Sequence, residues 1–292
     1  MESPKKPKKK KRSIVADIWH RFRKNKTAVG GLIVLVTILA FVVFANVITD
    51  YETMAIFQNT KERLQPPSSA HIFGTDEYGR DIFARVLFGA RNSLQMAITA
   101  MAISLMIAII IGSVAAFYGG LVDGIIMRIL DMFMGLPTIL LAIAISASLG
   151  PGKNNLILAI TISQVPSFTR VTRSAILNIV GQEYIEAAKS YGSNDAEMIA
   201  HHILPNAIGI IIVQATMAVS GTILSIAALS YIGLGMQPPS PELGAMLSDG
   251  KEFMRHSPSL VIFPGLTIAI IALSLNLFGD GLRDALDPRL KT

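Results

Sequence analysis

Six apolar stretches of membrane length, separated by polar segments of very unequal size, organise this chain of 292 residues. The first runs from Ala28 to Ile48. The others are Ser93–Tyr118, Ile125–Leu149, Asn155 to about Val171, Ile208–Leu234 and Leu260–Phe278. About twenty apolar residues match a hydrocarbon core of ~30 Å, so the pattern predicts an all-α membrane protein with six transmembrane helices. The first stretch is too long for a cleaved leader, and no small-residue cleavage site follows it. Gly119-Gly120 and Gly150-Pro151-Gly152-Lys153-Asn154 mark short turns. Longer polar segments cover 49–92, about 171–207 and 236–258.

The segment around Glu183–Asn206 is the best-patterned interruption. Glu186-Ala187-Ala188-Lys189-Ser190-Tyr191 reads as a short helix that Gly192 ends, because glycine takes the left-handed conformation without a Cβ penalty. Asn194 is expected to cap a second helix with Glu197 three residues on. The helix dipole favours Asp195 and Glu197 at its start and His201 and His202 at its end. Ala196, Ile199, Ala200 and Ile203 give it an apolar stripe, and Pro205 is expected to stop it at Leu204. A helix of about three turns cannot cross a bilayer. Its shape alone fits a membrane-surface helix and a docking helix for another protein equally well.

Composition agrees with a membrane location: 51% of residues are hydrophobic and 16% charged, with a mean hydropathy of +0.52, against about 25% charged in soluble domains. Eleven of the 26 basic residues fall in residues 1–27, so the net positive charge belongs to a tail. Lys5–Arg12 fits attraction to anionic headgroups better than nucleic-acid binding. Residues 13–26, with Ile14, Ile18, Trp19 and Phe22 beside Arg21, Arg23 and Lys24, suit an interfacial amphipathic helix. The basic residues before Ala28 hold that end inside. With no cysteine, disulfides and thiolate metal sites are excluded.

Glu186-Ala187-Ala188, Gly192 and then Leu204-Pro205 at fixed spacing resemble the EAA loop of binding-protein-dependent ABC importer permeases. Phe73-Gly74-Thr75-Asp76-Glu77-Tyr78-Gly79-Arg80-Asp81, followed by Arg85 and Gly89-Ala90-Arg91-Asn92-Ser93-Leu94, resembles the signature before the core of C-type permeases in dipeptide, oligopeptide and nickel importers. On its own chemistry this stretch reads as structural, with Arg80 beside Asp81 as a local ion pair. The ending Gly279–Leu290 is similar to the same family. His202 departs from the general pattern, which prefers an apolar residue there.

The resemblance implies a MetI-like ABC permease core with a cytoplasmic EAA coupling loop. On it, 1–27 is a cytoplasmic basic tail and interfacial helix, 28–48 the first transmembrane helix and 49–92 extracytoplasmic. Residues 93–279 form a five-helix core with the loop at about 171–207, and 280–292 is a cytoplasmic tail. It implies half of a translocation pore for di- or oligopeptides in a bacterial or archaeal cell membrane; a nickel or other small-solute importer is the alternative. The implied partners are a second homologous permease, ATP-binding subunits that dock on Glu186, Ala187, Ala188, Gly192, Leu204 and Pro205, an extracytoplasmic substrate-binding protein and the lipid bilayer.

No cofactor is expected in the chain itself. The only fragment resembling a phosphate-binding loop, Gly150–Asn154, lacks its first glycine and its hydroxyl, so ATP hydrolysis is assigned to partner subunits and the chain is read as a non-enzyme. His201 and His202 are adjacent, point to different sides of a helix and make no metal pair. Few polar residues fall inside the apolar stretches. Gln164 and Ser167 near Pro166, with Gln214 and Ser220, are the candidate pore-lining residues; the alternative for each is helix–helix hydrogen bonding. Asn276 is another such residue. Arg128 and Asp131 are expected to snorkel at a helix end. A stand-alone carrier or an intramembrane enzyme would need internal repeats or facing titratable groups, which this sequence does not show.

Overall fold

The computed structural model describes residues 14–286, whose regular structure is helical apart from one isolated bridge, between Thr75 and Asp81. The polybasic run Lys5–Arg12 and the end of the C-terminal tail, 287–292, lie outside the described residues. In chain order the helices are α1 (Ile14–Phe22), α2 (Lys26–Val43), α3 (Ala45–Ile48), α4 (Ile82–Tyr118), α5 (Gly120–Met134) and α6 (Thr138–Leu149). They continue with α7 (Lys153–Val180), α8 (Glu183–Ser190), α9 (Asp195–Glu197), α10 (Leu204–Tyr231), α11 (Leu243–Gly250) and α12 (Ser259–Leu286).

α1 is helical within the expected 13–26: Trp19 is exposed while Phe22 is buried on Ala28 and Ala285. Asn25 then caps α2 by accepting from Ala28 N at 3.1 Å. The core is built on α4, which packs along most of α7, with α10, α11 and α12 closing around it and α2 laid against α12. Small residues permit the close approach: a Cβ on Gly112 of α4 would stand 3.0 Å from Thr172 Cβ of α7.

Several boundaries differ from the sequence pattern. α4 begins at Ile82 rather than near Ser93, because Asp81 Oδ1 accepts from Ala84 N at 2.8 Å and Ile82, Ala84, Val86, Leu87 and Phe88 are all buried. The single stretch 125–149 is two helices bent by 81°. Pro137 has no N–H to continue α5 and disfavours helical geometry at Leu136. α7 runs on to Val180, well past Val171, and α12 to Leu286, so the expected tail 280–292 is helical over its described part.

By length and composition, four helical segments can cross a bilayer: Lys26–Val43, Ile82–Tyr118, Asp195–Tyr231 and Ser259–Leu286. A fifth is added if the bent α5–α6 pair counts as one. α7 is long enough, at about 42 Å for its 28 residues, but Ser163, Thr169, Thr172, Arg170 and Arg173 lower its hydropathy. Three of these are buried against other helices, where polar side chains escape contact with lipid.

The segment 49–81 folds into a compact cap on the start of α4. Gly79, at φ +76°, closes a turn in which Asp76 accepts from Tyr78 N and Arg80 N at 2.9 Å each. That turn brings Arg80 Nε to Asp76 Oδ2 at 2.6 Å, and Arg85 Nε approaches the same oxygen at 3.3 Å. The expected Arg80–Asp81 pair does not form. Asp81 is committed to capping α4 and to His71 Nδ1 at 2.8 Å, while the turn carries Arg80 back over Asp76.

Candidate functional site: the hairpin below the helices and the interrupted helices above it

Residues 181–206 form a hairpin at the end of the helix bundle. Its first arm, α8, follows α7 after Gly181-Gln182, and Gly192 separates the arms at φ +85°. Asn194 caps the second arm by accepting from Glu197 N at 2.8 Å, as the spacing predicts. Two expectations are corrected. The second arm does not stop at Pro205: Met198–Ile203 takes a wider π-helical turn, Leu204 stays helical at φ −58°, and the helix continues into α10. Proline is tolerated here because its missing N–H falls at the start of the next α-helical segment, after a turn already wound in the wider register.

The same register moves the buried stripe. Met198 and Ile203, five residues apart, are buried with Ile185, Ile176, Ala207 and Ile211. Ile199 is half-buried, and Ala196 and Ala200 are exposed. The hairpin's inner face is therefore fixed to the ends of α4, α7 and α10. Tyr118, the last residue of α4, donates to Asp195 Oδ2 at 3.1 Å and adds a polar tie.

The outer face is free of such packing. Glu183, Glu186, Asp195 and Glu197 are exposed, as are Tyr184, Pro205 and Tyr191, the last at 92%. Ala188 and Leu204 are half-buried. Ala187 lies on α8 between Glu186 and Ala188. The expected docking residues thus share one hairpin, Glu186 and Pro205 being turned to its open side. Open space surrounds Gly192, with nothing within 4 Å of a Cβ built there.

The candidate pore residues have different surroundings. Ser167 lines a cavity of about 80 Å³ with Ser163, Pro166, Met134, Leu136 and Thr138. The break between α5 and α6 thus faces the stretch of α7 around Pro166, where the helix continues unbroken. Gln164 turns to α10, donating to Thr222 Oγ1 at 2.8 Å, and its Oε1 is buried without a hydrogen-bond partner among the described residues. Ser220 is buried and donates to Ala272 O at 3.0 Å, tying α10 to α12. Gln214 is exposed on α10.

Sequence reasoning missed the ion pairs that hold α5. Asp123 takes the guanidinium of Arg173 through two hydrogen bonds, and Asp131 pairs with Arg170. Asp131 therefore does not snorkel alone. The signal lay in Arg170 and Arg173, three apart at the end of one predicted span and just beyond it, and in Asp131 and Asp123, inside and just before another.

A helix bundle with a break between α5 and α6 and an exposed hairpin continuous with its long helices is shared with solved ABC transporters. The inward-facing methionine ABC transporter MetNI in one crystal form superposes with a TM-score of 0.57 at 17% identity, covering 70% of this chain and 96% of that one; this shows the fold. An amino acid ABC transporter crystallised with histidines gives 0.54 at 16% identity, over 68% and 92%.

The family model for the binding-protein-dependent transport system inner membrane component matches residues 108–292, and that for the N-terminal TM domain of oligopeptide transport permease C matches 13–67. The chain belongs to the binding-protein-dependent transport system inner membrane component family. It is 44% identical over 276 residues to the dipeptide transport system permease protein DppC of Alkalihalophilus pseudofirmus, covering 94% of this chain and 90% of that protein. It is 41% identical over 276 residues to the glutathione transport system permease protein GsiD of Pectobacterium atrosepticum, covering 94% and 91%.

Proposed function

We propose that this chain is the C-type permease subunit of a peptide ABC importer, forming half of the translocation path for di- or oligopeptides. A second homologous permease supplies the other half, separate ATP-binding subunits drive it, and an extracytoplasmic binding protein delivers substrate. The substrate class rests on relatives named for dipeptide, di/tripeptide and glutathione transport, at 39–44% identity over nearly the whole chain.

Six crossings follow if α7 and the bent α5–α6 pair each traverse the membrane beside α2, α4, α10 and α12. An even number places both termini and the hairpin on one side, and the basic residues before α2 make that side cytoplasmic. The observation that carries the coupling role is mechanical. Both arms of the hairpin adjoin long helices, and its outer face is acidic, tyrosine-bearing and unpacked. Glu186 and the Gly192 turn are read as the surface that an ATP-binding subunit grips.

The test is substrate-stimulated ATP hydrolysis, with retention of the ATP-binding subunits, in Gly192→Val and Glu186→Lys importers. At φ +85° a β-branched residue is strained by about 1–2 kcal/mol, and lysine reverses the charge offered to the partner. Both variants are expected to insert and pair with the second permease but to lose stimulation or release the ATP-binding subunits. Wild-type values for both would refute the docking role.

A further inference from the structure

Opposite charges share a cavity at the other end of the bundle without neutralising each other. This open groove, of about 610 Å³, lies where α3 gives way to the cap, beside the first turns of α4; Asp50, Tyr51, Glu52, Arg91, Asn92 and Gln95 are among its lining residues, with Asp50, Glu52 and Arg91 exposed. Among the described residues no carboxylate lies within 4.0 Å of the Arg91 guanidinium, and no cation lies that close to Glu52 or Asp50. Arg91 makes one long bond, 3.5 Å from Nη1 to Asn46 Oδ1. Asp50 accepts from Thr53 N and Thr53 Oγ1 through Oδ1 alone. A second cation reaches the rim, where Lys153 donates to Gln95 Oε1 at 2.9 Å. The carboxylates thus come from the α3-to-cap junction, and the cations from α4 and the start of α7.

The depth of the cavity identifies its surroundings. The apolar run of α2 and α3 ends at Ile48, two residues before Asp50, and Phe44, Val47 and Ile48 are exposed, Val47 at 83%. In a bilayer, this is where hydrocarbon meets headgroups. Tyr51, packed edge-on against Phe88 at 4.9 Å, suits the same level. α4 starts here and ends at Tyr118 beside the hairpin, so the cavity belongs to the leaflet away from the hairpin.

We propose that this cavity binds the headgroup of a zwitterionic aminophospholipid. Its ammonium faces Asp50 and Glu52, its phosphate faces Arg91 with Lys153 at the rim, and its acyl chains lie along the exposed apolar side of α2 and α3. Carboxylates hydrogen-bond an ammonium and a guanidinium binds phosphate, whereas a choline headgroup offers no N–H to the acidic wall. A dipeptide carries similar charges, but the exposed apolar helix end beside the cavity favours a ligand with acyl chains.

The test is to purify the whole importer gently from membranes containing phosphatidylethanolamine and measure lipid retained per complex by native mass spectrometry, for wild type, Glu52→Gln, Arg91→Gln and Arg91→Lys. Retention of phosphatidylethanolamine is expected to fall about tenfold in Glu52→Gln and Arg91→Gln, the effect of losing one charge-assisted hydrogen bond. It should be largely kept in Arg91→Lys, which separates loss of charge from misfolding. In exchange experiments phosphatidylcholine should fail to replace it. Unchanged retention in both neutral variants, equal retention of phosphatidylcholine, or displacement of the lipid by a dipeptide would overturn the proposal; the last would mark a substrate site.

Discussion

Asp76 holds together the most heavily charged buried cluster of the cap, and replacing it should open the start of α4. Asp76, Arg80 and Arg85 are each at most 5% exposed. Asp76→Ala leaves Arg80 with Glu77 at 3.7 Å and the face of the Tyr78 ring at 4.5 Å, and Arg85 with the carbonyls of Ala55 and Pro239, at 2.8 and 3.2 Å. Removing one member of a buried ion pair costs about 3–5 kcal/mol, and here one carboxylate serves two guanidinium groups. Alanine also strips the acceptor from two backbone N–H groups, at about 1–3 kcal/mol for each that stays buried. Asparagine can still accept those bonds, so Asp76→Asn should lose mainly the charge contribution and be the milder change. The chain has no cysteine, so Ala84→Cys, at a fully buried position, gives a clean reporter of local opening. A penalty of about 3–5 kcal/mol corresponds to labelling faster by roughly 10²–10⁴-fold. An increase below about fivefold in both variants would show that the cluster is not what closes the cap.

Glu242 caps α11, is fully buried, and accepts from Ser93 Oγ at 2.7 Å and Ala245 N at 2.9 Å; burial pushes its pKa above the ordinary glutamate value. Its favoured protonated form is fully populated below the ordinary value and is lost as pH rises through the raised one. Thermal midpoints should therefore fall over that window in wild type and fall less in Glu242→Gln; parallel profiles would contradict this. Gly244→Val should abolish insertion and pairing with the second permease, because a Cβ there lies 2.6 Å from Ala227 Cα, whereas Gly192→Val, in open space, should leave that pairing intact; equal yields of the paired permeases would contradict the distinction. Single cysteines at Ser193 and Ser68 should label from the cytoplasm and from outside, respectively, and the reverse would invert the proposed topology.

Much of the fold is legible because lipid imposes a simple rule on apolar runs. α2, α4, α10 and α12 follow from that rule, and Gly192 and Asn194 follow from backbone and capping preferences. What stays hidden depends on position in three dimensions. Nothing local in Asp76, Arg80 and Asp81 says which carboxylate the arginine takes, since the choice is made by the turn that Gly79 closes. Pro205 is a helix stop by local preference, yet the π-helical turn before it absorbs the proline and shifts burial from Ala200 to Met198. Ser220 and Gln164 are similar as sequence. One is consumed by a carbonyl of α12 and the other by a hydroxyl of α10, because those helices pass within reach.

The ion pairs on α5 show how the hairpin and the helix break belong to one mechanical unit. α5 is mostly exposed, Leu121 at 85%, and its polar ties run to Arg170 and Arg173 on the last turns of α7. α8 follows two residues after α7 ends, and the second arm runs unbroken into α10. A push on the hairpin therefore meets α7 and α10 together, and through α7 it reaches α5 and the bend at Leu136-Pro137. That bend lines the same cavity as Ser163, Pro166 and Ser167. The α5–α6 break and the Pro166 stretch of α7 thus face each other at the end of a continuous chain of contacts from the hairpin. Alternating access needs elements that can change angle between stiff supports, and on the proposed function Gly135–Pro137 and Pro166 are the candidates for that role in this chain.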